Sequence, residues 1–111
     1  MLNYAGCQQT VTLYRLVDGQ ITRQVLSGVY LWVEKGKTGE CAPVRNFLLI
    51  VPGDQITLQV GDRIYDGIGP KGVIWEIFLP AYEPNVVEVG RVRYYRLGGK
   101  TYHVEAEQAW N

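Results

Sequence analysis

The clearest indication of the fold class of this 111-residue chain is RVRYYRLGGKTYHVEAE, residues 91–107. Two runs of β-branched, aromatic and alternating residues flank the pair Gly98-Gly99. Alternation with a period of two is typical of β-strands, and paired glycines supply the positive φ angles that two-residue hairpin turns need. The stretch therefore predicts a terminal β-hairpin, whose first strand covers residues 86–97 and whose second strand covers residues 101–107.

The same pattern continues towards the N-terminus. Short apolar runs alternate with turn signals such as Asp18-Gly19. Ser27-Gly28 interrupts one run at a point where a bend or bulge would fit. The further predicted strands are residues 10–16, 21–26, 29–34 and 44–51, two short strands within 56–70, and an apolar run over 72–80.

Seven or eight short strands at this spacing predict an all-β fold, a small antiparallel β-barrel or sandwich. The length indicates a single domain over residues 1–111. A short helix would fit best near residues 81–85. Residues 35–43, KGKTGECAP, lack periodicity and carry three charges and two glycines, so they predict one long mobile loop.

The composition restricts the classes of function. Apolar residues make up 47% of the chain, which argues against intrinsic disorder. Eleven basic residues balance eleven acidic ones, whereas proteins that bind the nucleic-acid backbone usually carry a basic excess. The sequence contains neither an apolar run of membrane-spanning length nor a secretory signal. Cys7 and Cys41 fit no zinc motif and are expected to be free thiols.

The only histidine, His103, shares one face of its predicted strand with Glu105 and Glu107. A metal site needs three or more convergent ligands, but same-face positions on a strand lie about 7 Å apart in a straight row. A small cupin-like enzyme would need such a metal cluster. The row therefore predicts the solvent-facing side of a hairpin strand, and we expect no metal, no cofactor and no catalytic site.

The stretch "GRVRYYR" combines arginines with tyrosines. Arg91 and Arg93 are predicted to share one strand face with Tyr95, and Tyr94 and Arg96 to share the other. Tyrosine and arginine are enriched in protein interfaces, but on a small barrel they also stack and bind single-stranded nucleic acid. The zero net charge favours a protein interface, and a single-stranded nucleic-acid-binding module is the alternative.

Three segments together carry a family resemblance: "GVYLW" at 28–32, "GDRIYDG" at 61–67 and "GGKTYHVEA" at 98–106. In this order, the pattern resembles the small minor capsid or head–tail connector proteins of tailed phages and prophages. More narrowly, it is similar to the head-closure or stopper type. The similarity is one of pattern and covers residues 10–107.

The resemblance implies a β-barrel subunit that assembles into a ring, joins the portal vertex to the tail and helps to retain packaged DNA. It implies a virion component that resides in the host cytoplasm before assembly, and it implies no catalytic residue. The implied partners are portal or adaptor proteins, tail proteins and further copies of the chain, with DNA in the channel. The predicted loop would project into the channel or onto a neighbouring ring. The candidate assembly contacts are Lys35, Lys37, Glu40, Arg91, Arg93, Tyr95, His103, Glu105 and Glu107.

Overall fold

The computed structural model describes residues 4–34, 45–54 and 56–109. Within these ranges the chain forms seven antiparallel strands and no α-helix. The strands are β1 (Gln9–Val17), β2 (Gln20–Val33), β3 (Phe47–Pro52), β4 (Arg63–Asp66), β5 (Val86–Glu88), β6 (Arg91–Leu97) and β7 (Lys100–Glu107). They form one curled sheet in the order β5-β4-β1-β2-β3-β7-β6. This arrangement confirms the predicted all-β, antiparallel and barrel-like fold.

A bulge in β2 bends the sheet. Gln9 lies opposite Val29 while Thr10 lies opposite Ser27, so Gly28 has no partner in the ladder. Gly28 has a φ of 70°, a left-handed conformation that glycine adopts without strain. The first half of β2 pairs with β1 and the second half pairs with β3. The bend predicted at this position therefore turns one half of the sheet over the other.

The second bend separates β5 from β6. Residues 86–97 were predicted as one strand, but the pairing breaks at Val89-Gly90. Gly90 donates its N–H to the Glu107 carbonyl. A Cβ at Gly90 would lie 2.1 Å from the Ala109 nitrogen, so only glycine fits this approach. Two residues thus connect β5 to β6, the strands at the two ends of the sheet order.

The hairpin turns agree with the prediction. Asp18 and Gly19 have φ angles of 49° and 79°, and Gly98 and Gly99 have φ angles of 60° and 80°. Two successive positive φ angles match the twist of the flanking strands. The turns therefore set the registers of the β1–β2 and β6–β7 hairpins.

Alternate side chains from both halves of the sheet form the main core. Burial of these apolar side chains is the dominant favourable contribution to folding. The buried members are Val11, Leu13, Leu26, Val29, Leu31, Phe47, Leu49, Val51, Leu58, Ile64, Val87, Val89, Val104 and Ala106.

Two predicted strands are absent from the described part of the chain. Residues 56–59 are irregular, although Leu58 is only 2% exposed and fills the core. Residues 72–80 contain a single 3₁₀ turn, Trp75–Ile77, and the predicted short helix at 81–85 is a series of turns. Arg63 attaches residues 72–80 to β4, because its guanidinium donates to the Phe78 carbonyl at 3.1 Å and lies 3.8 Å from the centre of the Trp75 ring.

The sequence predicted Asp62 only as a turn residue, but Asp62 also forms an ion pair with Arg15. Its carboxylate is 1% exposed and accepts two bonds of 2.8 Å from the Arg15 guanidinium. It also accepts the Gln59 backbone N–H at 2.8 Å. The hydrogen bond to Asp62 raises the pKa of Arg15. The pair attaches the 59–62 turn to β1 through a charge-assisted contact.

Candidate assembly surface

The β6–β7 hairpin presents the largest group of predicted contact residues. β6 is the last strand of the sheet, and six of its seven residues are exposed. Its exposed large side chains are Tyr94 at 38%, Tyr95 at 39% and Leu97 at 71%. We call the side chains of β6 and the polar face of β7 the hairpin surface.

The register of the hairpin brings six of the nine predicted residues together. They form three directly opposed pairs: Arg91 with Glu107, Arg93 with Glu105, and Tyr95 with His103. Glu107 forms ion pairs with both arginines. Its Oε1 lies 3.7 Å from the Arg91 Nε and 3.6 Å from the Arg93 Nη2. The sequence prediction that Arg91, Arg93 and Tyr95 share a face is therefore confirmed.

The prediction that His103 faces solvent is wrong. The residue is 6% exposed because the ring of Tyr95 stacks over it at 4.4 Å between centroids. Tyr4, from the N-terminal segment, packs edge-on against the imidazole with the centroids 5.4 Å apart. Glu105 and Glu107 are half-buried rather than fully exposed. The polar row is thus a packed cluster partly covered by aromatic rings.

Both ring nitrogens of His103 are hydrogen-bonded. Nε2 lies 2.9 Å from the Glu105 Oε2, and Nδ1 lies 2.5 Å from the Tyr4 hydroxyl. Because a carboxylate only accepts, Nε2 donates to Glu105, and in the neutral form of the imidazole Nδ1 then accepts the Tyr4 O–H. Desolvation raises the pKa of Tyr4, and the neighbouring Cys7 and Glu105 raise it further. The Tyr4 phenol therefore stays protonated and can donate a hydrogen bond to His103.

The guanidinium groups on β6 stay accessible. The side chains of Arg91 and Arg93 are each 49% exposed. Arg96 is also exposed, donates to the Thr101 hydroxyl at 3.2 Å and lies 5.3 Å from the centre of the Tyr94 ring. These contacts hold three cations along one strand without covering them.

The remaining predicted contacts, Lys35, Lys37 and Glu40, lie outside the described residues. The same holds for the whole loop predicted over 35–43 and for Cys41.

A second exposed surface was missed by the sequence reasoning. Ile74 is 61% exposed, Ile77 is 54% exposed and Tyr82 is 66% exposed, all within the irregular segment that follows β4. Ile74 and Ile77 line an open groove of about 280 Å³ that Lys71 and Glu83 also border. The apolar run over 72–80 was the signal, but it was interpreted as one more strand of the sheet. We call this segment, residues 70–83, the apolar segment.

Among residues 4–34, 45–54 and 56–109, no three His, Cys, Asp or Glu side chains cluster in a way that could hold a metal ion. No helix in the same ranges is long and apolar enough to cross a membrane. Comparisons with protein-family models, with curated proteins and with solved structures give no match for this chain.

Proposed function

We propose that this chain is a head–tail connector subunit of the head-closure type, which forms a ring between the portal vertex and the tail and helps to retain packaged DNA. The strand and turn pattern over residues 10–107 supports the proposal through its resemblance to such proteins. The small barrel-like sheet is consistent with the fold that this resemblance implies. The observation that carries the proposal is the exposure of β6.

The exposed residues of β6 are of the types that are enriched in protein interfaces. Six of its seven residues are exposed, among them three arginines and two tyrosines. Tyrosine and arginine are enriched where proteins bind each other, and Leu97 adds an apolar side chain that is 71% exposed. A neighbouring protein would bury this surface and would gain both apolar contact and charge pairing.

A ring also needs a second, different surface on each subunit. Closed rings form through heterologous contacts, in which one patch of a subunit meets another patch of the next subunit. The apolar segment offers such a patch, because Ile74, Ile77 and Tyr82 are all more than half exposed. Contiguous exposed apolar patches mark interaction sites, and Ile74 and Ile77 line one groove.

Deletion of the gene in the phage or induced prophage that carries it tests the proposal. We expect heads that lose DNA or fail to join tails, with rescue by the wild-type gene supplied in trans. Leu97→Asp and Ile77→Asp should each rescue at least tenfold less well, because a charge would replace an exposed apolar contact. Val17→Asp is the matched control, since Val17 is 45% exposed at the tip of another hairpin. Infectious particles at wild-type titre without the gene would refute the connector function.

The alternative, a single-stranded nucleic-acid-binding module, also depends on β6. The specific observation is the interleaving of Arg91, Arg93 and Arg96 with Tyr94 and Tyr95 on one exposed strand. Titration of a labelled oligothymidylate at several salt concentrations separates the two functions. Tight binding that weakens steeply with salt would favour the nucleic-acid module, while no binding at low salt would favour the connector.

A further inference from the structure

Within the described residues, one edge of β6 has no strand paired to it, and we call it the outer edge. β6 pairs with β7 along one side, and within the described residues its other side makes no backbone hydrogen bond. The free N–H and C=O groups of such an edge form a template onto which another extended chain can add. The edge is seven residues long, which is enough for a strand of ordinary length.

The charge along this edge is positive. Arg91 and Arg93 share a single carboxylate, Glu107, at 3.7 and 3.6 Å. Glu105 is bonded to His103, and Arg96 contacts a hydroxyl group and a tyrosine ring. The edge strand thus carries three guanidinium groups, of which Arg91 and Arg93 have half-exposed side chains. An incoming strand would meet this excess of positive charge directly.

The hairpin itself shows which sequence pattern complements β6. On the paired side, Glu107 lies opposite Arg91 and Glu105 lies opposite Arg93. Opposite charges directly across a sheet stabilise the pairing, and like charges destabilise it. We propose that the outer edge of β6 binds an extended acidic segment of a partner protein by strand addition, with carboxylates at alternating positions facing Arg91 and Arg93.

Other occupants of the edge match the charge less well. The β6 strand of a second copy would bring three more arginines to the same edge, and β5, at the other end of the sheet, has only three residues. A nucleic acid has no peptide N–H and C=O groups that could pair with the strand edge. The inference rests on the proposed function only for the statement that the natural partner is another virion protein.

Two synthetic seven-residue peptides of high strand propensity test the inference. They differ only at two alternating positions, which hold Glu in one peptide and Lys in the other. Calorimetric titration into the full chain should show at least tenfold tighter binding of the Glu peptide, and hydrogen exchange in residues 91–97 should slow on binding. The double variant Arg91→Glu/Arg93→Glu should reverse this preference. Lys71→Glu, an exposed charge reversal on the apolar segment, should leave the preference unchanged.

Several results would overturn the inference. These are equal binding of the two peptides, binding without protection of residues 91–97, protection of β6 that grows with the concentration of the chain alone, and displacement of the Glu peptide by an oligothymidylate. If circular dichroism shows that the double variant is unfolded, Arg91→Gln/Arg93→Gln takes its place and should abolish the preference. Peptide binding without particle assembly would refute the connector function alone, and assembly without a peptide preference would refute the strand addition alone.

Discussion

Tyr95 stacks on His103 with the ring centroids 4.4 Å apart and the ring planes 21° from parallel. The two residues lie directly opposite each other in the β6–β7 register. On another side of the imidazole, Tyr4 packs edge-on and bonds to Nδ1. A single side chain thus connects the N-terminal segment to both strands of the terminal hairpin.

His103→Ala should lower the free energy of unfolding by about 2–3 kcal/mol, because two hydrogen bonds and two aromatic contacts are lost together. Tyr4→Phe removes only the hydroxyl donor and should cost about 1 kcal/mol. Urea unfolding measures both values. Tyr102→Phe serves as the control, since its hydroxyl makes no hydrogen bond within the described residues, and it should change the free energy by less than about 0.5 kcal/mol. If His103→Ala leaves the free energy of unfolding unchanged, the contacts of His103 do not hold the N-terminal segment in place.

Zinc, manganese and calcium should leave the melting temperature unchanged. Both nitrogens of His103 are already engaged, by Tyr4 and by Glu105, so the ring offers no free ligand atom. A metal bound only by the folded state at a hundred times its Kd would add about 2.7 kcal/mol, which thermal melts against a chelator readily detect. A reproducible rise with one metal that disappears in His103→Ala would contradict this prediction.

Gly90→Ala should destabilise the fold by about 1–3 kcal/mol. The new Cβ would lie 2.1 Å from the Ala109 nitrogen and 2.4 Å from its Cα, so backbone must move at the junction of β5 and β6. Gly6→Ala is the matched control, because a Cβ there meets no atom within 4 Å. Chemical denaturation of both variants makes the comparison. If the two variants are equally stable, the backbone near Ala109 moves aside without a loss of folding free energy.

Asp62→Asn should lower the free energy of unfolding by about 2–4 kcal/mol. The substitution leaves the Arg15 guanidinium without its carboxylate in a site where Asp62 is 1% exposed. Guanidinium-chloride or urea midpoints measure the loss. Asp66→Asn changes an exposed aspartate and should stay within about 0.5 kcal/mol of the wild type. A small effect at both positions would assign the pair a minor energetic role.

Stability should fall at alkaline pH partly through Tyr14. Burial raises the pKa of this phenol above its ordinary 10.0, although Arg23 opposes the shift. The folded state keeps the proton to higher pH than the unfolded chain does. The contribution of Tyr14 is therefore fully present below the unfolded pKa and is lost as the pH rises through the folded pKa.

The Tyr14→Phe variant isolates this contribution. It removes the 2.6 Å hydrogen bond to the Pro70 carbonyl and should cost about 1 kcal/mol at neutral pH. Between about pH 9 and pH 11 it should then lose less stability than the wild type does. Tyr82→Phe alters a side chain that is 66% exposed and should follow the wild-type pH profile. Parallel profiles for Tyr14→Phe and the wild type would exclude a role for Tyr14 in alkaline unfolding.

The contact pairs of the hairpin surface could be anticipated in part. Alternation assigned Arg91 and Arg93 to one face of a strand, and the two glycines at 98 and 99 predicted the turn. The burial of His103 could not be fully anticipated, because besides Tyr95 it depends on Tyr4, which lies 99 positions away in the chain. The irregular structure of residues 72–80 could not be predicted either. An apolar run has the same pattern whether its backbone groups bond to a neighbouring strand or to a side chain such as Arg63.

Side-chain periodicity and the φ angles that only certain residues tolerate were enough to predict most strands, the hairpin turns and the bulge at Gly28. The positions of β5 and β6 at the ends of the sheet, the face of β7 that Tyr4 covers and the close approach of Ala109 to Gly90 were established by the folded structure alone. These features arise from contacts between segments that are distant in the chain. The free energies of such contacts cannot be predicted from a local sequence pattern.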